Sequence, residues 1–146
     1  MNSTREFYLK AGDEVTLERE VTESVVNGFA DISGDHSPNH TEEATMSGSV
    51  YQGRIAHGAL LIAYMSACST EIVERIPNVR ATETPVSLGY DHIRFIKPVY
   101  IGDRLSLRYK VRDVDAVRRR ARSDITITNQ AGDTVCVGEH ILKWVA

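Results

Sequence analysis

One segment of the 146-residue chain restricts its fold more than any other, a long apolar run over residues 57–76. The first three turns of the predicted helix carry apolar side chains on every face, charge appears only in its last turn, and Pro77 ends it. A helix that is apolar all round is buried on every side rather than lying on a surface. The sequence therefore predicts a central helix, about 30 Å long, that other elements must cover.

The second half of the chain is predicted to supply this cover as an antiparallel β-sheet. Four segments rich in Val, Ile, Leu and Tyr alternate with a period of two and are separated by short turns, at 82–95, 104–112, 121–128 and 134–144. A further strand is predicted at 14–21, followed by a short helix capped by Thr22. The fold class is therefore α+β, with one long buried helix wrapped by the sheet.

Composition excludes several classes of protein. The length and the lack of repeats or linkers predict a single domain over residues 1–146. A net charge of -3 argues against a nucleic-acid partner, and the longest apolar run, 59–63, is too short to cross a membrane. The first six residues lack the apolar core of a signal peptide, and Cys68 and Cys136 are predicted to be small buried side chains without a disulfide. We therefore expect a cytoplasmic protein with reduced thiols.

A long irregular stretch, residues 34–58, holds the first candidates for chemistry: Asp35, His36 and His40. His36 and His40 have the i, i+4 spacing of zinc ligands on a helix. Pro38 lies between them, which disfavours a continuous helix, and a third ligand is not evident. No metal site is therefore predicted, and a solvated structural loop remains the alternative.

Gly58 follows this stretch at the start of the apolar helix. The first backbone N–H groups of a helix have no intrahelical acceptor and carry the positive end of its dipole. Glycine lets another molecule approach the backbone closely. This position is suited to stabilising a developing oxyanion beside an Asp/His pair, and a plain tight turn is the alternative.

These residues resemble a known family. Asp35-His-Ser-Pro-Asn-His40, Ile55-Ala-His-Gly58 and Phe95-Ile-Lys-Pro-Val-Tyr-Ile-Gly-Asp103 are similar to motifs of the MaoC-like, (R)-specific enoyl-CoA hydratase family of hot-dog-fold proteins. The resemblance covers residues 29–144. It implies the hot-dog fold and a homodimer joined edge to edge, or a dimer of dimers, and it implies no cofactor.

The resemblance also implies roles for individual residues. Asp35 and His40 would hold the water that is added to, or removed from, an acyl thioester, and the Gly58 N–H would bind the thioester carbonyl. Ser66 matches a helix serine that supports the Asp, although a small residue packed in a tight helix explains it equally simply. Ser37, where the family often has Asn, and His57 are further supporting residues.

The predicted function is hydration of an α,β-unsaturated acyl thioester, or the reverse dehydration. This chemistry needs a base, an acid and an enolate stabiliser. We assign removal of the water's proton to His40 and return of a proton to C2 to Asp35. The alternatives are a hot-dog thioesterase and a non-catalytic acyl-thioester-binding subunit, which would need no acid/base pair.

The carrier of the acyl group, either CoA or an acyl carrier protein, is less well indicated. A basic cluster could meet CoA phosphates or an acidic carrier, although a charged strand edge is the preferred interpretation; it comprises Arg118, Arg119, Arg120 and Arg122. Lys97 and Arg94 are similarly ambiguous. Met46, Tyr51 and Ile55 are candidates for the acyl pocket, and ordinary loop packing is an equal interpretation.

Overall fold

The computed structural model describes residues 7–77 and 82–146. The predicted absence of a signal peptide rests on residues that lie outside this part of the chain. The elements follow one another as β1 (Glu14–Glu20), α1 (Glu23–Ser33), α2 (Pro38–Thr41), α3 (Glu43–Ser47), α4 (Gly58–Glu74), β2 (Thr84–Phe95), β3 (Arg104–Asp115), β4 (Arg120–Thr128) and β5 (Thr134–Val145). Among the described residues, no helix combines the length and the apolar character needed to cross a membrane.

The five strands form one antiparallel sheet in the order β1-β3-β4-β5-β2. All five strand predictions are confirmed to within a few residues at their ends. In this order β1 and β2 are the two edges, and the end of β2 pairs with the start of β5 through Phe95 and Cys136. The sheet is therefore closed on neither side, and both edges offer unpaired backbone groups.

Helix α4 packs against the inner face of this sheet, as the apolar run predicts. Met65 is fully buried, and it lies over Gly138, where a Cβ atom would be 3.4 Å from the Met65 Cε. Cys68 and Cys136 are buried free thiols, and burial raises the pKa of each to about 11. The prediction that both cysteines behave as small buried side chains is therefore confirmed.

The prediction that α4 is buried on every side is wrong for the chain alone. Ala59, Ala63, Ser66 and Thr70, at intervals of three or four residues, share one exposed face. The physical reason is that a single sheet reaches only one side of a helix. The sequence pattern identified a helix that needs cover all round, and within the described residues one side stays uncovered.

The stretch 34–58 is more ordered than predicted, since it contains α2 and α3. Gly34 ends α1 in the left-handed conformation, at φ 79°. Pro38 then begins α2 rather than interrupting it, because the first position of a helix needs no N–H donor. His36 falls outside α2, so the continuous helix that would place His36 and His40 on one face does not form.

A buried imidazole lies in the core between α4 and the sheet. His140 is fully buried, and its two ring nitrogens hydrogen-bond the hydroxyls of Tyr109 and Ser87, both at 2.7 Å. Burial lowers the pKa of His140 to about 4. Both ring nitrogens of the neutral form therefore have partners, and the protonated form is strongly disfavoured.

This burial predicts an acid-sensitive stability. Between pH 6.5 and 4 the unfolded state binds a proton at His140 that the folded state excludes, so stability falls as pH falls through this window. We expect wild type to lose about 3 kcal/mol more than His140→Gln over this range, measured by urea unfolding at each pH. His36→Gln, which removes an exposed imidazole, is the control. Equal pH dependence of wild type and His140→Gln would contradict the prediction.

Candidate active site

His40 is held in one orientation at the end of the short helix α2. The residue is only 9% exposed, and its Nδ1–H donates to the carbonyl of Ile55 at 2.7 Å. Because a carbonyl only accepts, Nδ1 carries the proton in the neutral ring and Nε2 carries the free lone pair. That nitrogen faces Oδ2 of Asp35 at 3.8 Å.

Asp35 is placed opposite by the turn that follows α1. Its Oδ1 accepts the backbone N–H of Ser37 at 3.2 Å, and its own N–H donates to the Ser33 hydroxyl at 3.1 Å. Half of the carboxylate side chain, 51%, remains exposed. The 3.8 Å gap to His40 is too long for a direct hydrogen bond, but one water can contact both atoms. Ser37 supports Asp35 through its backbone rather than through its hydroxyl.

His57 joins these two residues from below. Its ring stacks on that of His40 with centroids 3.8 Å apart, and its Nε2–H donates to the backbone carbonyl of Asp35 at 2.9 Å. The ring of Phe29 meets His57 edge-on at 4.9 Å. His57 is 1% exposed, and its Nδ1 has no partner among the described residues. The structure therefore brings this predicted supporting residue against both Asp35 and His40.

Asp35, His40 and His57 offer ligand atoms that all lie within 4.8 Å of one another, which a metal ion could span on distance alone. The imidazole rings of His40 and His57 are only 26° from parallel. Their nitrogen lone pairs therefore lie in nearly parallel planes and do not converge on one point, as metal ligands must. His36 lies apart from this group, with its Nε2 3.6 Å from Asp31.

Gly58 begins α4 at the wall of a cleft of about 400 Å³ that also contains His40. The ring of Phe95 lies directly over its Cα, since a Cβ atom at Gly58 would be only 2.6 Å from the Phe95 Cζ. Any side chain at this position would require the Phe95 ring to shift. Both the His40 imidazole and the first backbone N–H groups of α4 thus border one cleft.

Two of the three predicted pocket residues lie in the cleft, and one does not. Tyr51 and Ile55 line the cleft, together with Phe95 and Ile96, which the sequence did not single out as pocket residues. Met46 does not line the cleft, because it lies in α3 and is only 4% exposed. The prediction for Met46 is wrong because the residues around it form this short helix, which buries the side chain.

Ser66 is not brought to Asp35 within one chain. It lies about 12 Å along α4 from Gly58, on the uncovered face. Its hydroxyl hydrogen-bonds Tyr90 and lowers the Tyr90 pKa, which burial raises by more. The predicted contact between Ser66 and the Asp35 carboxylate is therefore absent among the described residues of one chain.

The arginine cluster is not a free basic surface beside the cleft. Three of its four side chains form ion pairs with carboxylates, namely Arg118 with Asp115, Arg119 with Glu83, and Arg122 with Asp91 and Glu139. The Arg119 carbonyl accepts the backbone N–H of Trp144. Trp144 lies about 26 Å along β5 from Cys136, the residue that pairs with Phe95 beside the cleft. Lys97, in contrast, lines the cleft and pairs with Asp133 at 3.3 Å.

The sequence motifs did not point to Arg54, a further residue at the site. Arg54 precedes the Ile55-Ala-His-Gly58 motif, and its side chain is 7% exposed. Its Nε–H donates to the backbone carbonyl of His40 at 2.6 Å. The signal available in the sequence was a lone charge directly before an apolar helix start, since a buried charge must have partners.

Comparison of the sequence with known proteins points to one family. The sequence profile of the MaoC-like domain matches residues 9–133. The chain is 33% identical to a 3-hydroxybutyryl-CoA dehydratase of Methylorubrum extorquens, over 92% of this chain and 80% of that protein. It is 30% identical to an (R)-specific enoyl-CoA hydratase of Rhodospirillum rubrum, over 90% and 85% of the two chains.

The solved structure of an R-hydratase from Pseudomonas aeruginosa superimposes with a TM-score of 0.80 at 30% identity, covering 92% of this chain and 81% of that one. The fold is therefore the hot-dog fold, with a long helix against an antiparallel sheet, as predicted.

Proposed function

Because the chain belongs to the MaoC-like domain family, we propose that it is a hydro-lyase acting on acyl thioesters. It adds water across the α,β double bond of an enoyl thioester to give the (R)-3-hydroxyacyl thioester, and it catalyses the reverse dehydration. One observation carries the proposal: the free Nε2 of His40 and the Asp35 carboxylate lie 3.8 Å apart beside the cleft where α4 begins. The relatives named as hydratase and dehydratase support the same reaction.

In the proposed mechanism a water lies between Asp35 and His40. Nε2 of His40 takes one proton from the water, and the oxygen attacks C3 of the substrate. The electrons of the double bond move onto the thioester oxygen as an enolate, which the Gly58 N–H stabilises. His40 passes this proton to the Asp35 carboxylate, Asp35 delivers it to C2, and the carbonyl re-forms. One water is thereby added, and both residues regain their starting charge.

The cleft and its lining support a thioester whose acyl chain enters beside Tyr51, Ile55 and Phe95. Lys97 is the basic side chain placed to meet a phosphate of the carrier. The arginine cluster lies too far along the sheet from the cleft, so we assign it a structural role. Loss of enoyl absorbance, measured with CoA and carrier-protein substrates in parallel, separates the two carriers.

Hydration and thioester hydrolysis both need an activated water and an oxyanion donor. The two activities are distinguished by assaying free thiol release and loss of enoyl absorbance on the same crotonyl-CoA sample. Hydratase activity removes the absorbance without releasing thiol, whereas a thioesterase releases thiol. A protein that binds crotonyl-CoA and does neither would be a non-catalytic subunit.

We expect Asp35→Asn and His40→Gln each to lower kcat for crotonyl-CoA hydration by about 10²–10⁴-fold, because each removes one proton-transfer group. The Asp35 side chain is half exposed and His40 lines the cleft, and each replacement is close in size to the original, so the circular dichroism spectrum should stay unchanged. The double variant should be no more than slightly worse than the single ones, since residues that act as a unit are not additive. Near-normal turnover by either single variant would refute the assignment.

Gly58→Ala tests whether the helix start binds the carbonyl. The new methyl group would overlap Phe95 and narrow the approach to the N–H, so we expect a loss of about 10²-fold or more in kcat. Phe95→Ala removes the overlap, and it is the matched control. If Gly58 serves the carbonyl, the double variant stays far below Phe95→Ala. If the double variant equals Phe95→Ala, the loss in Gly58→Ala comes from the clash with the ring alone.

We further propose that residues 1–146 form a single domain that acts in the cytoplasm as a homodimer. The two buried free thiols support a reducing compartment. The uncovered face of α4 and the adjacent edge strand β2, with Leu88 47% and Phe95 55% exposed, support pairing of two copies.

If the protein is a homodimer, sedimentation equilibrium should give the mass of two chains. Ala63→Arg places a charge on the uncovered face of α4 and should shift the protein towards monomer, because a desolvated unpaired charge is costly. Val117→Arg, in a turn where the side chain is 93% exposed, is the matched control and should leave the dimer intact. A monomeric wild type would contradict the proposal.

A further inference from the structure

Arg54 is a buried cation beside the proposed site whose role is still unaccounted for. Its guanidinium has three protein partners. Besides the bond from Nε–H to the His40 carbonyl at 2.6 Å, Nη1 donates to Glu23 Oε1 at 2.9 Å and Nη2 to Asn27 Oδ1 at 2.6 Å. Glu23 and Asn27 both lie on α1, so one planar group connects two helices.

The bond to His40 satisfies a group that α2 cannot. This helix has only four residues, and the carbonyl of His40 lies in its last turn, where no later N–H of the helix is available. The neighbouring residue Ile55 holds His40 from the other side: its N–H donates to the Asn39 carbonyl at 3.0 Å, and its carbonyl accepts the imidazole Nδ1–H at 2.7 Å.

Two consecutive residues therefore grip His40 by its main chain and by its ring. The ring nitrogen opposite to Nδ1 is the one that faces Asp35 across 3.8 Å. A rotation or shift of the α2 backbone would move this nitrogen directly, because α2 is too short to be rigid on its own. We propose that Arg54 is a positioning residue that fixes the His40 backbone, and through it the direction of the Nε2 lone pair.

The shape of the guanidinium explains why arginine stands here. Three bonds leave Arg54 towards a carbonyl, a carboxylate and an amide oxygen, from three different nitrogens of one plane. A lysine ammonium is a single point on a flexible stem and cannot reproduce this fork. The ion pair with Glu23 does not by itself explain the arginine, because the Glu23 side chain is 68% exposed and solvent screens its attraction to the guanidinium.

The proposal rests on the proposed function, so its test includes a readout that does not depend on turnover. The first measurement is the exchange rate of the His40 Nδ1–H with solvent, followed by NMR on ¹⁵N-histidine-labelled protein. If Arg54 fixes His40, this proton exchanges faster in Arg54→Lys and Arg54→Met than in wild type. Unchanged exchange in both variants would overturn the proposal, whatever reaction the protein catalyses.

The second measurement is steady-state hydration of crotonyl-CoA. We expect kcat of Arg54→Lys and Arg54→Met to fall by about 10- to 100-fold, because small displacements of a catalytic group have effects of this size. KM should change by less than about threefold, since Arg54 does not line the cleft. A rise in KM at constant kcat would indicate a role in substrate binding and would overturn the proposal.

The matched control is Arg119→Lys. Arg119 is also a largely buried arginine, with its side chain 19% exposed and bound by Glu83 through two nitrogens, but it lies at the far end of the sheet. It should alter neither kcat nor the His40 exchange rate. An equal loss in Arg119→Lys would mean that Arg54 acts only through general stability.

If Arg54→Met does not fold, Asn27→Ala decides the question. Asn27 is exposed on α1, and its replacement by Ala removes one of the three hydrogen bonds of the Arg54 guanidinium. We expect faster exchange of the His40 Nδ1–H and a fall in kcat of about threefold or more, corresponding to the loss of one hydrogen bond. Wild-type values of both in Asn27→Ala would overturn the proposal. Faster exchange in a protein that hydrates no enoyl thioester would refute only the proposed function.

Discussion

The packing of α4 against the inner face of the sheet is the constraint on which the site depends. A helix of 17 residues is a rigid element, and burial of residues such as Met65 and Leu61 fixes it along its length. Its first residue, Gly58, is thereby fixed as well, beneath the Phe95 ring at the end of β2. The hydrophobic core thus does more than stabilise the fold, because it places the first N–H groups of a helix at the wall of a cleft.

The segment before α4 transmits this fixed position to the imidazoles. The Ala56 N–H donates to the Val99 carbonyl at 2.7 Å, and the Ile55 N–H donates to the Asn39 carbonyl. The Ile55 carbonyl accepts the His40 Nδ1–H, and the His57 Nε2–H donates to the Asp35 carbonyl. Two of these four hydrogen bonds join backbone to backbone, and the other two are made by imidazole nitrogens. These bonds place Asp35 and His40 so that one atom of each, Oδ2 of Asp35 and Nε2 of His40, faces the other across 3.8 Å. They explain how a dyad can be well placed although half of the Asp35 side chain is in solvent.

The sequence predicts the elements of the fold well and the local order of the loop poorly. Strand positions follow from period-two patterning in long segments, and α4 follows from a run of apolar residues that nothing else could bury. Helices α2 and α3 are too short for any periodicity, and Pro38 has opposite meanings inside a helix and at its first position. For the candidate site, the motifs and the family resemblance predicted Asp35, His40, His57 and Gly58, and the structure places polar atoms of the first three within 4.8 Å of one another.

Arg54 and Phe95 were missed as site residues because their roles depend on long-range contacts. Arg54 bonds to residues 14, 27 and 31 positions away, and Phe95 is 37 positions from Gly58. Met46 and Ser66 were misplaced for the same reason. An apolar or small residue near a motif has many possible surroundings, and only the packing of the whole chain selects one.

The uncovered face of α4 bears on the proposed chemistry as well as on stability. An enolate is stabilised by a single N–H only where water is excluded, since water weakens such an electrostatic interaction by its high dielectric constant. In the single chain the cleft is bordered by Phe95 and Ile96, 55% and 53% exposed, and Ala59 at its wall is exposed as well. A second copy seated on α4 and β2 would cover these same residues. In the proposed homodimer, the contact that completes the burial of α4 is therefore also the contact that excludes water from the cleft, so loss of the dimer would lower kcat even where each chain stays folded.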